Sequence, residues 1–255
     1  MSPQAASVRC GLAVALGAVA MGCDLPPSRG AVGTIHAEVV APADGRLERD
    51  GVIELALDAL IEPRTLVGAD AALVSGEREL GVALRFEPVA RILVADPAAR
   101  LLDPDVDYVL RVEGPQGFDG ALLEPVAFPL RVTRDLAVPP SAPSYAEVQV
   151  VLARCAPCHQ PGRAELGLDV TDLEGTAIGV PADEVAQAGA GAGLGGALRI
   201  EPFHPERSYL LYKMMGEGPI VGAPMGASDA PDVPLDEASL RVVSRWIAGG
   251  ARLEP

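Results

Sequence analysis

The sequence predicts a multidomain chain, an antiparallel β-sandwich over residues 34–134 followed by a mainly α-helical domain over residues 144–255. Three observations carry that expectation. Short β-rich runs broken by turn residues fill the first region, and several of them alternate apolar with polar side chains. The stretch Asp135-Leu-Ala-Val-Pro-Pro-Ser-Ala-Pro143 then reads as an extended, semi-rigid linker over residues 135–143. Beyond it, apolar residues recur at helical spacing.

The chain opens with an export signal over residues 1–22. One cation, Arg9, precedes the uncharged run Gly11 to Met21, which is too short to span a bilayer. The run ends at Gly22-Cys23 and is followed by Asp24-Leu-Pro-Pro, so a small residue precedes a cysteine where a signal peptidase would cut. This pattern resembles a bacterial lipoprotein signal. The resemblance implies that Cys23 becomes the lipidated first residue and that residues 23–33 form the tether. The protein is then exported, periplasmic or at the cell surface, and meets the membrane through acyl chains on Cys23. No later segment is apolar for long enough to read as a transmembrane helix.

The composition of the full chain, 49% hydrophobic in 255 residues, suits folded structure. A net charge of −15 repels phosphate backbones, which argues against nucleic acid, whereas a basic partner could be steered to such a surface.

In the first region strands are expected over residues 34–40, 52–58, 71–75, 80–86, 91–95, 108–112 and 128–132. Leu102-Asp-Pro104-Asp-Val-Asp-Tyr108 follows the Leu-x-Pro-x-x-x-Tyr corner pattern. With Pro42-Ala-Asp-Gly45 before it, the segment resembles the Ig-like domains of bacterial surface proteins. That implies that Tyr108 starts a strand and ties its hydroxyl to nearby backbone. No Cys…Trp…Cys core is present, so an antibody-type domain is excluded. His36 stands alone, no catalytic cluster accompanies it, and a spacer or adhesion module is the expected role.

In the second region Ser144-Tyr-Ala-Glu147 forms a capping box, opening a helix with Tyr145, Val148, Val151 and Leu152 on one face. That helix leads into Cys155. Pro205 and Ser208 open a second helix through Met215. Asp236 opens a third, which buries Leu240, Val243, Trp246 and Ile247 and stops at Gly249-Gly250. The glycine-rich run from Gln187 to Gly196 is expected to be a mobile loop.

The four cysteines fall at Cys10 within the signal, Cys23 at its end, and Cys155 with Cys158, which leaves no pair for a disulfide framework. A bridge between Cys155 and Cys158 would close only a tiny loop and constrain the unfolded chain little. Cys155-Ala-Pro-Cys158-His159 instead matches the attachment sequence of covalent haem c. Two thiols at this spacing can add to the two vinyl groups on one porphyrin edge, and the adjacent imidazole can then ligate the iron.

From Tyr145 to Ala251 the chain resembles class I cytochrome c domains. The matching residues are Val151-Leu-Ala-Arg-Cys155-Ala-Pro-Cys158-His159, Leu166-Gly-Leu-Asp169, Pro205-Glu-Arg-Ser208-Tyr-Leu-Leu-Tyr-Lys213, Pro224-Met225-Gly226 and Trp246-Ile-Ala-Gly-Gly-Ala251. The resemblance sharpens the fold class to an N-terminal Ig-like β-sandwich plus a C-terminal, mainly α cytochrome c-like domain. It implies one covalent haem c with His159 and Met225 as iron ligands, and a non-enzymatic electron carrier that meets redox partner proteins. His204 is the rival axial ligand, while Met214 and Met215 read as core.

Three other readings compete. Thioredoxin-like exchange at Cys-Ala-Pro-Cys wants a buried strand before the motif, where the pattern here is helical. Structural zinc needs four ligands and typically a second close pair. A surface scaffold with a haem sensor or a peroxidase-like open iron site requires that Met225 not ligate.

Overall fold

In the computed structural model, residues 33–97, 101–138, 141–182, 198–226 and 235–254 are described, and all belong to one compact unit, Val32–Pro255. Alternating side chains build its first half. The strands are β1 (Thr34–Ile35), β2 (Ala37–Ala41), β3 (Arg46–Leu47), β4 (Ile53–Leu57), β5 (Asp70–Ser75) and β6 (Arg78–Gly81). They continue as β7 (Ala83–Glu87), β8 (Ile92–Asp96), β9 (Asp107–Glu113), β10 (Leu122–Leu123) and β11 (Val126–Val132). One sheet runs in the order β3-β11-β9-β5-β6 and a second in the order β2-β4-β8-β7, with β1 and β10 as a separate pair.

Every second residue of the central strands faces one shared core. Ile53, Leu55 and Leu57 point inward from β4, and Tyr108, Leu110 and Val112 from β9. Cross-strand partners such as Leu55 with Leu93 and Leu73 with Leu110 join that core, each worth about 1.5–3 kcal/mol by burial alone.

Two expectations for this half are corrected. The pairing is not purely antiparallel, since β1 runs parallel to β10 and β3 parallel to β11. Tyr108 does sit at the start of β9 and is buried, but its hydroxyl has no hydrogen-bond partner among the described residues, so no tyrosine corner is tied there. The corner segment is held by backbone and arginine instead: Asp105 N donates to Val132 O (2.8 Å) and Arg49 Nε to Leu102 O (3.1 Å).

The second half contains α1 (Tyr145–Leu152), α2 (Leu173–Thr176), α3 (Tyr209–Met215) and α4 (Glu237–Ala248). The capping box forms: Glu147 N donates to Ser144 Oγ (3.4 Å) and Ser144 N to Glu147 Oε2 (2.8 Å). Asp236 caps α4 through Ser239 N (2.9 Å). Tyr145 of α1 stacks on Trp246 of α4 at 6.0 Å between ring centroids, and Val148, Val151, Leu240, Val243 and Ile247 close the core between them. The described parts of residues 187–196 and of the export signal are none, so those expectations lie outside the described residues.

The expected fold class is overturned here. Among the described residues strand exceeds helix, and no mainly α cytochrome domain is formed. Among the described residues, only the three segments with clear helical periodicity become helices longer than one turn. Among the described residues between α1 and α3, 153–182 and 198–208, the chain folds through turns, one-turn helices and isolated bridges such as Ile178 with Ile200 and Leu198 with Ser208. Gly and Pro recur through that stretch, at Pro157, Pro161, Gly162, Gly167, Gly175, Gly179 and Pro181, and they favour turns over a continuous helix.

The two halves touch directly. The carboxylate of Glu87, the last residue of β7, accepts from the buried Ser244 hydroxyl of α4, Arg91 pairs with Glu217 (2.8 Å), and Phe118 meets Tyr212 edge-on at 6.0 Å. Leu60 packs against the cores of both.

Candidate functional site

The end of α1 delivers the cysteine motif. Cys155 N donates to Leu152 O (2.8 Å), and Cys158 N (3.2 Å) and His159 N (3.1 Å) both donate to Cys155 O. The motif is thus one further helical turn. Residues three and four apart on such a turn are neighbours on one face, which gathers both thiols and the imidazole. Arg154, bonded to Asp236 at 3.2 Å, ties the turn to the start of α4.

Cys155 is buried, Cys158 is half-buried, and both are free thiols. Burial pushes the Cys155 thiol above its ordinary value, and the neighbouring Cys158 adds to this against the opposing Arg154 cation. A protonated thiol entered from a helix is the reverse of the low-pKa thiolate that disulfide exchange requires, which disfavours the thioredoxin-like reading.

His159 borders a cavity of about 180 Å³ whose apolar wall includes Leu166, Leu168 and Leu210. Met225 borders the same cavity, together with Arg199 and Lys213. His159 O accepts from Val170 N (2.9 Å), which fixes the backbone behind the ring. The ring's Nδ1 is buried without a hydrogen-bond partner among the described residues. A histidine serving only as structure is normally satisfied on both nitrogens, so this imidazole retains ligating capacity.

The other predicted residues separate cleanly. Met214 and Met215 are core, at 0% and 8% exposed. His204 does not border the cavity; its Nδ1 lies 2.9 Å from the buried Glu206 carboxylate, so it is engaged elsewhere. His36 is not alone, its Nδ1 meeting Glu124 at 3.0 Å on the surface. Cys23 lies outside the described residues.

Two buried cations at the cavity were given no role by the sequence. Arg199, 9% exposed, donates to Gly167 O (2.9 Å) and Thr176 O (2.6 Å) and so holds the wall segment that carries Leu166. Lys213, 6% exposed, donates to Val221 O and Ala223 O, each at 2.8 Å. The only signal for Lys213 was a lone cation within Tyr-Leu-Leu-Tyr-Lys-Met-Met; nothing local marked Arg199.

A haem c fits these residues on three counts: two unbridged thiols on one turn, an imidazole with a spare nitrogen, and a thioether on the same apolar-walled cavity. His159 and Met225 are the residues that would hold its iron, and Cys155 and Cys158 those that would hold its macrocycle.

No family model matches the chain, and no curated protein does. A solved structure to which it is similar is the N-terminal part of the bacterial S-layer protein SbsC, at 14% identity and a TM-score of 0.31, covering 42% of this chain and 25% of that one. The chain thus spans a quarter of that structure's length. The resemblances to class I cytochromes c and to bacterial Ig-like domains are corrected accordingly. Among the described residues strand exceeds helix and no group of three or more His, Cys, Asp or Glu is able to hold a metal ion, and no family match accompanies the motifs. Among the described residues no helix is long and apolar enough to cross a membrane.

Proposed function

We propose that the chain carries one covalently attached haem c on Cys155, Cys158 and His159 and passes single electrons to and from redox partner proteins. The observation that carries this reading is the placement of His159 and Met225 on one cavity, although 65 residues separate them in sequence. When bound, the haem would supply one-electron chemistry at its iron. Cys155 and Cys158 would hold it by thioether bonds, and His159 and Met225 would ligate from the protein. Leu166, Leu168 and Leu210 would exclude water from its face, and a thioether ligand favours the reduced state. With Met225 in place no position is left open for a substrate, which supports a carrier over a peroxidase-like site.

We also propose export and anchoring through lipid on Cys23, which rests on the Gly22-Cys23 pattern after an uncharged apolar run. Incorporation of labelled fatty acid into the wild type and its loss in Cys23→Ala is the expected result; labelling that survives the substitution rejects it.

Co-expression with a haem c maturation system, followed by intact mass and redox spectra, tests the central reading. The expected product carries one haem that denaturation does not release. A chain that emerges with both thiols free sinks it.

A further inference from the structure

Resting on that reading, we infer that Lys213 is the positioning residue that sets Met225 at the cavity. The loop between α3 and Met225 cannot set itself. It begins at Gly216 (φ 71°), which ends α3 in the left-handed conformation, and continues through Gly218 (φ 84°) and Gly222 (φ 71°). Three glycines at positive φ give a chain with large conformational freedom and few side chains to pack. Something outside the loop must hold it.

Lys213 does so from both ends of its own residue. Its ammonium donates to Val221 O and Ala223 O, and its main-chain carbonyl accepts from Met225 N at 2.7 Å. One buried helical residue therefore grips the loop at positions 221, 223 and 225. Tyr209, one turn earlier on α3, adds a fourth grip, its hydroxyl accepting from Val221 N at 3.0 Å. Hydrogen bonds from a buried charge are about twice as strong as neutral ones and cost most when one partner is removed. Because Leu210, Leu211, Met214 and Met215 anchor α3 in the core, the grip is referenced to a rigid element.

The test uses the full chain after haem c maturation. Lys213→Met keeps the apolar stem and removes the charge, and Lys213→Gln retains a shorter donor. In Lys213→Met covalent haem by mass should persist while the thioether-to-ferric-iron charge-transfer band is lost. The Met225 amide should exchange with solvent about tenfold faster or more, as expected when charge-assisted hydrogen bonds are removed. Lys213→Gln should be intermediate on both readouts, and it supplies the comparison if Lys213→Met does not fold. A wild-type band and wild-type Met225 exchange in both variants overturn the inference. A wild-type chain without haem overturns the parent reading instead, and amide exchange then still decides whether Lys213 orders the loop.

Discussion

The β half and the helical half bury their side chains to different ends. In the first, inward residues of two sheets meet in one core, and polar groups are mostly spent on strand pairing and surface ion pairs. In the second, the core stops short at a cavity bordered by an imidazole with an unpartnered nitrogen, two buried cations and a loop methionine. A region built only to be stable tends to satisfy its buried polar atoms, so incomplete satisfaction beside a cavity marks where a ligand belongs. The β half has exceptions of its own among the described residues, the Tyr108 hydroxyl and Arg111 Nε, but neither borders that cavity.

That contrast can be broken most decisively by removing the thiols. Cys155→Ala with Cys158→Ala should abolish covalent haem completely while thermal unfolding of the β half, followed through Phe86 and Tyr108 packing by near-ultraviolet dichroism, stays cooperative. Haem that remains covalently bound would place the attachment elsewhere. Next in size are the aromatic cores. Phe86→Ala and Trp246→Ala, at 1% and 2% exposed, should each cost about 3–5 kcal/mol in denaturant unfolding. Because the halves share an interface, both should lower one common midpoint. Two separate transitions, each answering to one substitution, would show the halves to be independent.

A smaller effect sharpens the same point. Ser244→Ala removes the hydroxyl that Glu87 accepts across the interface and should cost about 1 kcal/mol, more if the carboxylate stays dry. No change in midpoint would mean that the contact carries no coupling.

The smallest effect expected is with pH. Glu147 is held below its ordinary value by the Ser144 backbone and hydroxyl, and Asp236 by the Ser239 backbone and hydroxyl, both at helix starts. A depressed carboxyl stabilises the fold fully above its unfolded value and stops doing so as pH falls through the folded one. Acid should therefore loosen α1 and α4 slightly, below the ordinary carboxylate range, with the β half unaffected. Helical dichroism that falls equally in Glu147→Gln with Asp236→Asn and in the wild type would reject the capping account.

Much of the molecule was legible in residue order. Strand positions followed from alternation, with β4, β8 and β9 close to the expected ranges, because a half-buried strand writes its period of two into the sequence. The caps at Ser144 and Asp236 are local chemistry and appear as read. What failed was inference from part to whole. Three helical segments and a handful of matched motifs suggested a mainly α domain of a known family, yet the described residues between α1 and α3 fold as turns, one-turn helices and isolated bridges. The Tyr108 corner failed for a related reason: its pattern specifies a residue order, while the hydroxyl's partner depends on backbone several residues away.

Local features were readable from residue order alone: the thiol and imidazole spacing of Cys155, Cys158 and His159, the capping residues and the alternation of the strands. These depend on neighbours within a turn or a pleat. Only the tertiary structure decided that His159 and Met225 border one cavity, that His204 is engaged by Glu206, and that Lys213 grips the Met225 loop. Each of these is a meeting of residues set by how elements pack, and packing is a property of the folded core that no short stretch of sequence contains.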